Sequence, residues 1–241
     1  MSHRREIGAM ILAAGRGERM RPLSDATPKP LLTAGDKPLL AWQIEGLARA
    51  GFRTIVINVA HRAEQFVAAF GDGTALGVTL IWSFEREPLE AAGGIATALP
   101  LLPEGPALIV SGDIHTTFDY ASLRSRAEAM AEITTAPRVH LVMVRNPDYH
   151  PNGDFALVDG RIDADGATRQ TFANIGLYDT ALLRDAPRGT KLRLLPYFER
   201  WIAAGLVSGE HFDGRWTNVG TPEDLAALDR ALRDRASDHR A

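Results

Sequence analysis

The sequence predicts an α/β protein built on a doubly wound, mostly parallel sheet with a small antiparallel lobe. Three observations predict it. Apolar runs of strand length alternate with segments of helical period, which is the pattern of parallel strands joined by covering helices. The rhythm breaks after about Asn146 into short runs separated by turn residues. The chain has 241 residues, 45% of them apolar, which suits one domain, or one domain with a lobe, around a substantial core.

Residues 7–12 are a short buried-type run ending in Ala13, Ala14 and Gly15. Leu40, Gln43, Ile44, Leu47 and Ala48 recur at three- and four-residue steps, so 38–50 reads as an amphipathic helix closed by Gly51. Residues 54–59 are β-branched and read as a second buried strand. Phe66, Val67 and Phe70 mark the next helix, with Gly71, Asp72 and Gly73 as its stop. Further strands are expected at 78–83, 107–110 and 139–144, with a helix over 118–131. Asn146-Pro147 and the run Pro151, Asn152, Gly153, Asp154 signal turns, and short strands follow at 155–158 and 173–178. Two helices finish the chain. One carries Leu194, Leu195, Phe198, Trp201 and Ile202; the other opens at Thr221-Pro222-Glu223-Asp224 and continues through Leu225, Leu228 and Leu232. Residues 234–241 are expected to fray.

Composition narrows the function. There are 27 Lys+Arg against 30 Asp+Glu, a formal charge of −3, which argues against a nucleic-acid wrapper. No run approaches the roughly 18 apolar residues of a membrane span. The charged N-terminus leads into a strand-like run without a small-residue cleavage site, so no signal peptide is expected. With no cysteine there is no disulfide framework, thiolate zinc site or cysteine nucleophile. These readings predict a soluble, cytoplasmic protein.

In doubly wound sheets ligands sit beyond the carboxyl ends of strands, which directs attention to the loops after Leu12, Val59 and Val110. The first is the most informative. Leu12, Ala13, Ala14, Gly15, Arg16 and Gly17 lead into Arg19 and Arg21. Glycine lets backbone amides approach an oxyanion, and arginine forks suit a polyphosphate. The loop lacks the third glycine of a dinucleotide fingerprint and the Gly-Lys-Ser/Thr of a P-loop, and taken alone it reads equally as a plain turn. Downstream, Pro28 and Pro30 restrict the backbone around Lys29 and help aim one cation at a fixed point. Ser111-Gly112-Asp113 places a carboxylate just past a strand's carboxyl end, where it suits a hard divalent cation bridging phosphates or is simply a turn aspartate.

The string from Leu12 through Arg19-Met20-Arg21-Pro22-Leu23 to Pro28-Lys29-Pro30 resembles the signature of the nucleotidyltransferases that act on sugar 1-phosphates. The resemblance extends to Pro38-Leu39, Gly112-Asp113 and the segment 216–221. It implies a Rossmann-like, GT-A-like fold divided into a nucleotide-binding core (1–145), a sugar-binding lobe (146–220) and a C-terminal helix (221–241). It implies in-line attack of a sugar phosphate on the α-phosphorus of a nucleoside triphosphate, with pyrophosphate released and Mg²⁺ as cofactor. Positioning and charge neutralisation supply most of such catalysis.

On the resemblance, residues 12–17 hold nucleobase and phosphates, Arg19 faces the pyrophosphate, and Lys29 neutralises the α-phosphate and the sugar phosphate. Asp113 is a metal ligand. The family's second ligand aspartate is replaced here by Asn218, an amide that can coordinate Mg²⁺ but brings no charge. Gly93, in the run 90–94, falls in the base-recognition loop. Gly153, Asp154 and Asn174 align with sugar-binding positions, each equally readable as a turn residue. The family's Glu-Lys-Pro string is absent, and Lys191 is the candidate for its lysine.

Residues 88–95 and 207–211 most resemble members that uridylate N-acetylmuramate 1-phosphate in peptidoglycan recycling. Transfer to glucose or mannose 1-phosphate, with UTP or GTP, stays open, as does a non-catalytic nucleotide-sugar sensor. His211, Phe198, Trp201 and Trp216 read as structural. No hexapeptide repeat follows Leu232, so the expected partners are small molecules only and the expected state is monomeric.

Overall fold

The computed structural model describes residues 7–132 and 138–238. Four strands, β1 (Gly8–Leu12), β2 (Thr54–Val59), β3 (Thr79–Phe84) and β4 (Pro106–Ser111), lie parallel in the order β3-β2-β1-β4. The chain builds outward from β1 through β2 to β3, then returns to the other side of β1 as β4. That reversal makes the gap beyond the carboxyl ends of β1 and β4 a topological switch point. Five further strands extend the same sheet: β5 (Val139–Val144), β6 (Phe155–Val158), β7 (Arg161–Asp163), β8 (Arg169–Asp179) and β9 (Val207–His211). The full order is β3-β2-β1-β4-β8-β5-β9-β7-β6.

The predicted alternation is present, and the sheet is mixed because β8 runs antiparallel to both β4 and β5. The antiparallel lobe expected after Asn146 is hydrogen-bonded into this sheet. The start of β8 pairs with β6 and its end pairs with β4. An eleven-residue strand can serve both neighbours, which is why the run expected at 173–178 grew to Arg169–Asp179.

Both faces are covered. Ala9 and Ile11 of β1 pack with Leu40, Ile44 and Leu47 of α1 (Leu39–Arg49), Phe66 of α2 (Ala63–Phe70), and Leu123. Met10 points to the other face, toward Ala92 and Ile95 of α3 (Glu90–Ala98), and Phe198 and Trp201 belong to the same cluster. Such alternation is the period of two that a strand imposes. Leu123 lies on α4 (Tyr120–Glu132), and Phe198 and Trp201 on α5 (Leu195–Ala203). Phe198 meets Phe155 and Phe172 edge-on, with ring centroids 5.7 and 5.5 Å away, so α5 aromatics are core.

Two short ribbons complete the site's frame. Ile114–Thr116 pairs with Trp216–Asn218, setting Asn218 opposite Ile114, and Thr33–Ala34 pairs with Lys37–Pro38. The first ribbon is anchored from beneath: Gln43 Nε2 donates to the Ile114 carbonyl (2.6 Å) while the Tyr120 hydroxyl donates to Gln43 Oε1 (2.6 Å). These bonds satisfy a polar pair that would be costly to bury unpaired. Helix α6 (Pro222–Asp238) follows. The Asp224 amide donates to Thr221 Oγ1, and Asp224 Oδ2 accepts from the Gly220 and Thr221 amides, a reciprocal N-terminal box. The helix therefore continues to Asp238 through much of the segment expected to fray; 239–241 lie outside the described residues.

Candidate active site

A cavity of about 650 Å³ opens beyond the carboxyl ends of β1 to β4. Its walls include Leu12 to Gly17, Lys29, Ser111, Asp113, Asn174 and Lys191, together with Asn58, Glu85, Glu87 and Glu90. Volume and position suit a nucleotide-sized ligand.

The loop after β1 is held from below. The Ala13 amide donates to Asn58 Oδ1 (2.9 Å), Asn58 Nδ2 donates to Glu85 Oε1 (2.7 Å), and the Leu89 amide donates to Glu85 Oε2 (3.0 Å). One carboxylate thus ties the floor of the first loop to the loop after β3. Burial pushes the Glu85 carboxyl above its ordinary value, against the hydrogen bonds from Asn58 and Leu89 that favour the charged form. Neither Asn58 nor Glu85 was singled out from sequence. The available signal was positional: both lie at the carboxyl ends of adjacent parallel strands.

Gly17 has φ +63°, and a Cβ there would stand 3.0 Å from the Lys29 Cβ, so the loop closes against Lys29 only because the residue is glycine. A Cβ on Gly15 would meet no protein atom within 4 Å, leaving that stretch of backbone open to the cavity. Lys29 begins a short helical turn between its two prolines, and its side chain is only 12% exposed. Its Nζ donates to Asp113 Oδ2, and Ser111 Oγ donates to Asp113 Oδ1 (2.7 Å). The Gly112 amide, bonded to the Leu12 carbonyl (2.9 Å), keeps this carboxylate beside the first loop.

Asn218 is brought to Asp113 by the ribbon, with the Val219 amide donating to the Asp113 carbonyl (2.9 Å). Its Oδ1 is buried and has no hydrogen-bond partner. Burial raises the Tyr149 pKa, and the neighbouring Asn218 side chain opposes that shift.

Two wall residues carry left-handed backbone that L side chains rarely adopt: Glu90 (φ +61°), the first residue of α3, and Asn174 (φ +56°), at the register shift in β8. The bulge is the device that turns Asn174 to the cavity. Lys191 lies on a segment stitched to α3, where the Gly93 amide donates to the Leu192 carbonyl (3.2 Å) and the Leu192 amide to the Leu89 carbonyl (2.9 Å).

Five of the sequence-derived candidates do not line the cavity: Arg19, Gly93, Gly153, Asp154 and Asn218. The Arg19 guanidinium lies over Gly220, 3.3–3.4 Å from where a Cβ would be. Gly93 is buried under the segment of Lys191, a Cβ there falling 2.2 Å from the Thr190 carbonyl oxygen. Gly153 (φ +61°) is wedged against Asn146, and Asp154 accepts from the Phe172 amide (2.8 Å) and contacts His150 (3.1 Å). Those contacts pin the turn before β6. His211, between Gln170 and Asp213, is likewise held by protein partners.

Around the cavity Arg16, Lys29 and Lys191 face Glu18, Glu85, Glu87, Glu90 and Asp113. Three cations against five acids leave the cavity walls net acidic. Among the described residues no cluster of three or more acidic or histidine side chains could cage a metal alone. Nor is any helix long and apolar enough to cross a membrane.

Comparison with known proteins agrees with this geometry. The chain is 43% identical, over 88% of its length and 93% of the relative, to the N-acetylmuramate alpha-1-phosphate uridylyltransferase of Neisseria meningitidis serogroup B. It is 28% identical, over 91% of its length and 63% of the relative, to the mannose-1-phosphate guanylyltransferase of Mycobacterium tuberculosis. A Bacillus anthracis structure described as a glucose-1-phosphate thymidylyltransferase superposes with a TM-score of 0.82 at 18% identity, covering 95% of this chain and 96% of that one, a likeness of fold. The profile of the Nucleotidyl transferase family matches residues 8–149, and the chain belongs to that family.

Proposed function

We propose that the protein transfers a uridylyl group from UTP to N-acetylmuramate 1-phosphate, releasing pyrophosphate. The observation that carries this reading is the cavity itself: a glycine loop and Lys29 on one wall, Asn174 and Lys191 on another, in a chain 43% identical to an N-acetylmuramate alpha-1-phosphate uridylyltransferase. The loop 12–17 takes the nucleotide, with backbone left open at Gly15. Asn174 and Lys191 take the sugar phosphate. One non-bridging oxygen of that phosphate bonds to the α-phosphorus as the bond from the α-phosphorus to the bridging oxygen breaks, and pyrophosphate departs with that electron pair. Lys29, held almost out of water, stabilises the negative charge that builds on the α-phosphate.

Asp113 and Asn218 are the residues that would hold a divalent cation, read here as Mg²⁺. The orphaned, buried Asn218 Oδ1, on the residue before Val219, whose amide bonds the Asp113 carbonyl, fits a hard cation, and the excess of acids on the cavity walls fits its charge. When bound, such a cation supplies charge neutralisation to the phosphates. Lys29 holds Asp113 Oδ2 and would release it to a bound triphosphate, which would leave that oxygen free to hold a cation. In this reading the protein works as a cytoplasmic monomer that recovers cell-wall sugar.

The test is pyrophosphate release over a panel of nucleoside triphosphates and sugar 1-phosphates. Turnover highest with UTP and N-acetylmuramate 1-phosphate is the expected result. Preference for GTP and mannose 1-phosphate would place the chain with its guanylyltransferase relatives instead. Because Asn218 lacks charge, a sensor that binds without turnover is the second reading, and tight nucleotide binding with no pyrophosphate from any pair would establish it.

A further inference from the structure

We infer that Gly94 is a positioning residue for the nucleotide: its missing side chain lets Asn58 close on Glu85 and hold the first loop in the shape that grips a triphosphate. The inference rests on the reading of residues 12–17 as the nucleotide site and deepens it. Gly94 lies in the body of α3, is buried, and does not line the cavity. Glycine is a poorer helix former than alanine, so Gly93 and Gly94 in succession weaken the helix unless the space beside them is needed. At Gly94 it is needed. A Cβ there would stand 2.6 Å from Asn58 Nδ2 and 2.9 Å from Glu85 Oε1, the two atoms that share a 2.7 Å hydrogen bond. Both distances are well inside van der Waals contact, so a methyl group would part that bond.

The bond matters because of what the other end of Asn58 does. The Ala13 N–H can only donate, so it fixes Asn58 Oδ1 toward the loop (2.9 Å) and leaves Nδ2 to find an acceptor. Glu85 Oε1 is that acceptor, while Glu85 Oε2 is held by the Leu89 amide (3.0 Å). Asn58 and Glu85 are both buried, so an Nδ2 parted from Oε1 is left unpaired and the amide loses the contact that fixes its orientation. The Ala13 N–H belongs to one peptide unit with the Leu12 carbonyl, which accepts from the Gly112 amide (2.9 Å). The departure of the loop from β1 is therefore set by Asn58 on one side and Gly112 on the other, and Gly94 keeps the first in place. Gly93 clears room for a different segment, its Cβ position falling 2.2 Å from the Thr190 carbonyl oxygen next to Lys191. Adjacent glycines on one helix thus set two walls separately: the loop 12–17 through Gly94, and Lys191 through Gly93.

The experiment measures the Kd of UTP with Mg²⁺ by isothermal titration calorimetry for the full chain, Gly94→Ala, Asn58→Ala, the double variant and Gly93→Ala, with urea midpoints alongside. Gly94→Ala and Asn58→Ala should each weaken UTP binding roughly fivefold or more. The double variant should bind within about twofold of Asn58→Ala, because the methyl group acts only through the asparagine. Gly93→Ala should change the UTP Kd by less than about twofold. A general loosening of the fold would not give this pattern, since neighbouring glycines of one helix would then behave alike. Should Gly94→Ala fail to fold, the midpoints of the other variants decide. In Asn58→Ala the methyl group gains the vacated space and alanine favours the helix, so adding Gly94→Ala should raise the midpoint. Three results overturn the inference while the nucleotide reading stands: UTP bound by Gly94→Ala as tightly as by the unaltered chain, losses that multiply in the double variant, or a midpoint that falls when Gly94→Ala is added to Asn58→Ala. If the unaltered chain binds no UTP, both fall together.

Discussion

Replacing Lys29 by alanine removes the one cation whose direction is fixed on both sides by proline and whose ammonium is nearly withdrawn from water. A charge-bearing donor aimed at developing oxyanion charge in such a setting is worth about 3–4 kcal/mol. At about 1.4 kcal/mol per decade, that corresponds to a fall in kcat of at least ~100-fold. The fold should tolerate the change. Asp113 loses its ion-pair partner but stays 23% exposed and keeps its bond from Ser111, so the stability cost is roughly 1–3 kcal/mol. Steady-state pyrophosphate release at saturating UTP and sugar phosphate, paired with a urea midpoint, separates the two effects. Because Lys29 also blocks Asp113, the variant should bind divalent cation without nucleotide at least as tightly as the unaltered chain. A variant that keeps a third of the original kcat would remove Lys29 from the mechanism.

Three further variants test the same geometry. In Glu85→Gln the Leu89 amide faces an NH₂ group, so the tie to the β3 loop loosens and KM for UTP should rise severalfold. The same pair of proteins tests the titration. A carboxyl raised in the folded state costs stability above its folded pKa, and that cost is relieved as pH falls through it toward 4.5. The urea stability of the original chain relative to Glu85→Gln should therefore increase on acidification across that window. Glu90→Gly should stabilise by about 1 kcal/mol in thermal unfolding, since it relieves left-handed strain at the start of α3. Gly93→Ala drives a methyl into the Thr190 carbonyl and must displace the strand of chain bearing Lys191. It should destabilise by roughly 1–3 kcal/mol and raise KM for the sugar phosphate more than KM for UTP.

Much of the architecture was legible because hydrophobic period and strand length speak for themselves where strands are buried on both faces, as at 54–59 and 139–144. The strands that escaped notice have weaker signals. β9, with Ser208, Gly209 and Glu210, is too polar and too short to read as buried, and β7 has three residues. The ribbon carrying Asn218 exists through pairing with residues a hundred positions away, which no local pattern reveals. Within the site, Lys29, Asp113, Asn174 and Lys191 could be named from motif and resemblance. Asn58 and Glu85 could not, because their role is to satisfy an amide in a different loop, and only folding brings the three strand ends together. Gly153 and Asp154 stand off the cavity wall in the turn before β6, where Asp154 accepts from the Phe172 amide, a placement that residue type alone does not reveal.

The central claim is that the loop between β1 and Lys29 grips a triphosphate, and the most direct measurement is a crystal structure of the protein with UTP. The account predicts the phosphates between residues 12–17 and Lys29, with the Lys29 ammonium moved off Asp113 onto phosphate oxygen. Nucleotide density elsewhere on the molecule, with this cavity empty and the Lys29–Asp113 pair intact, would contradict it.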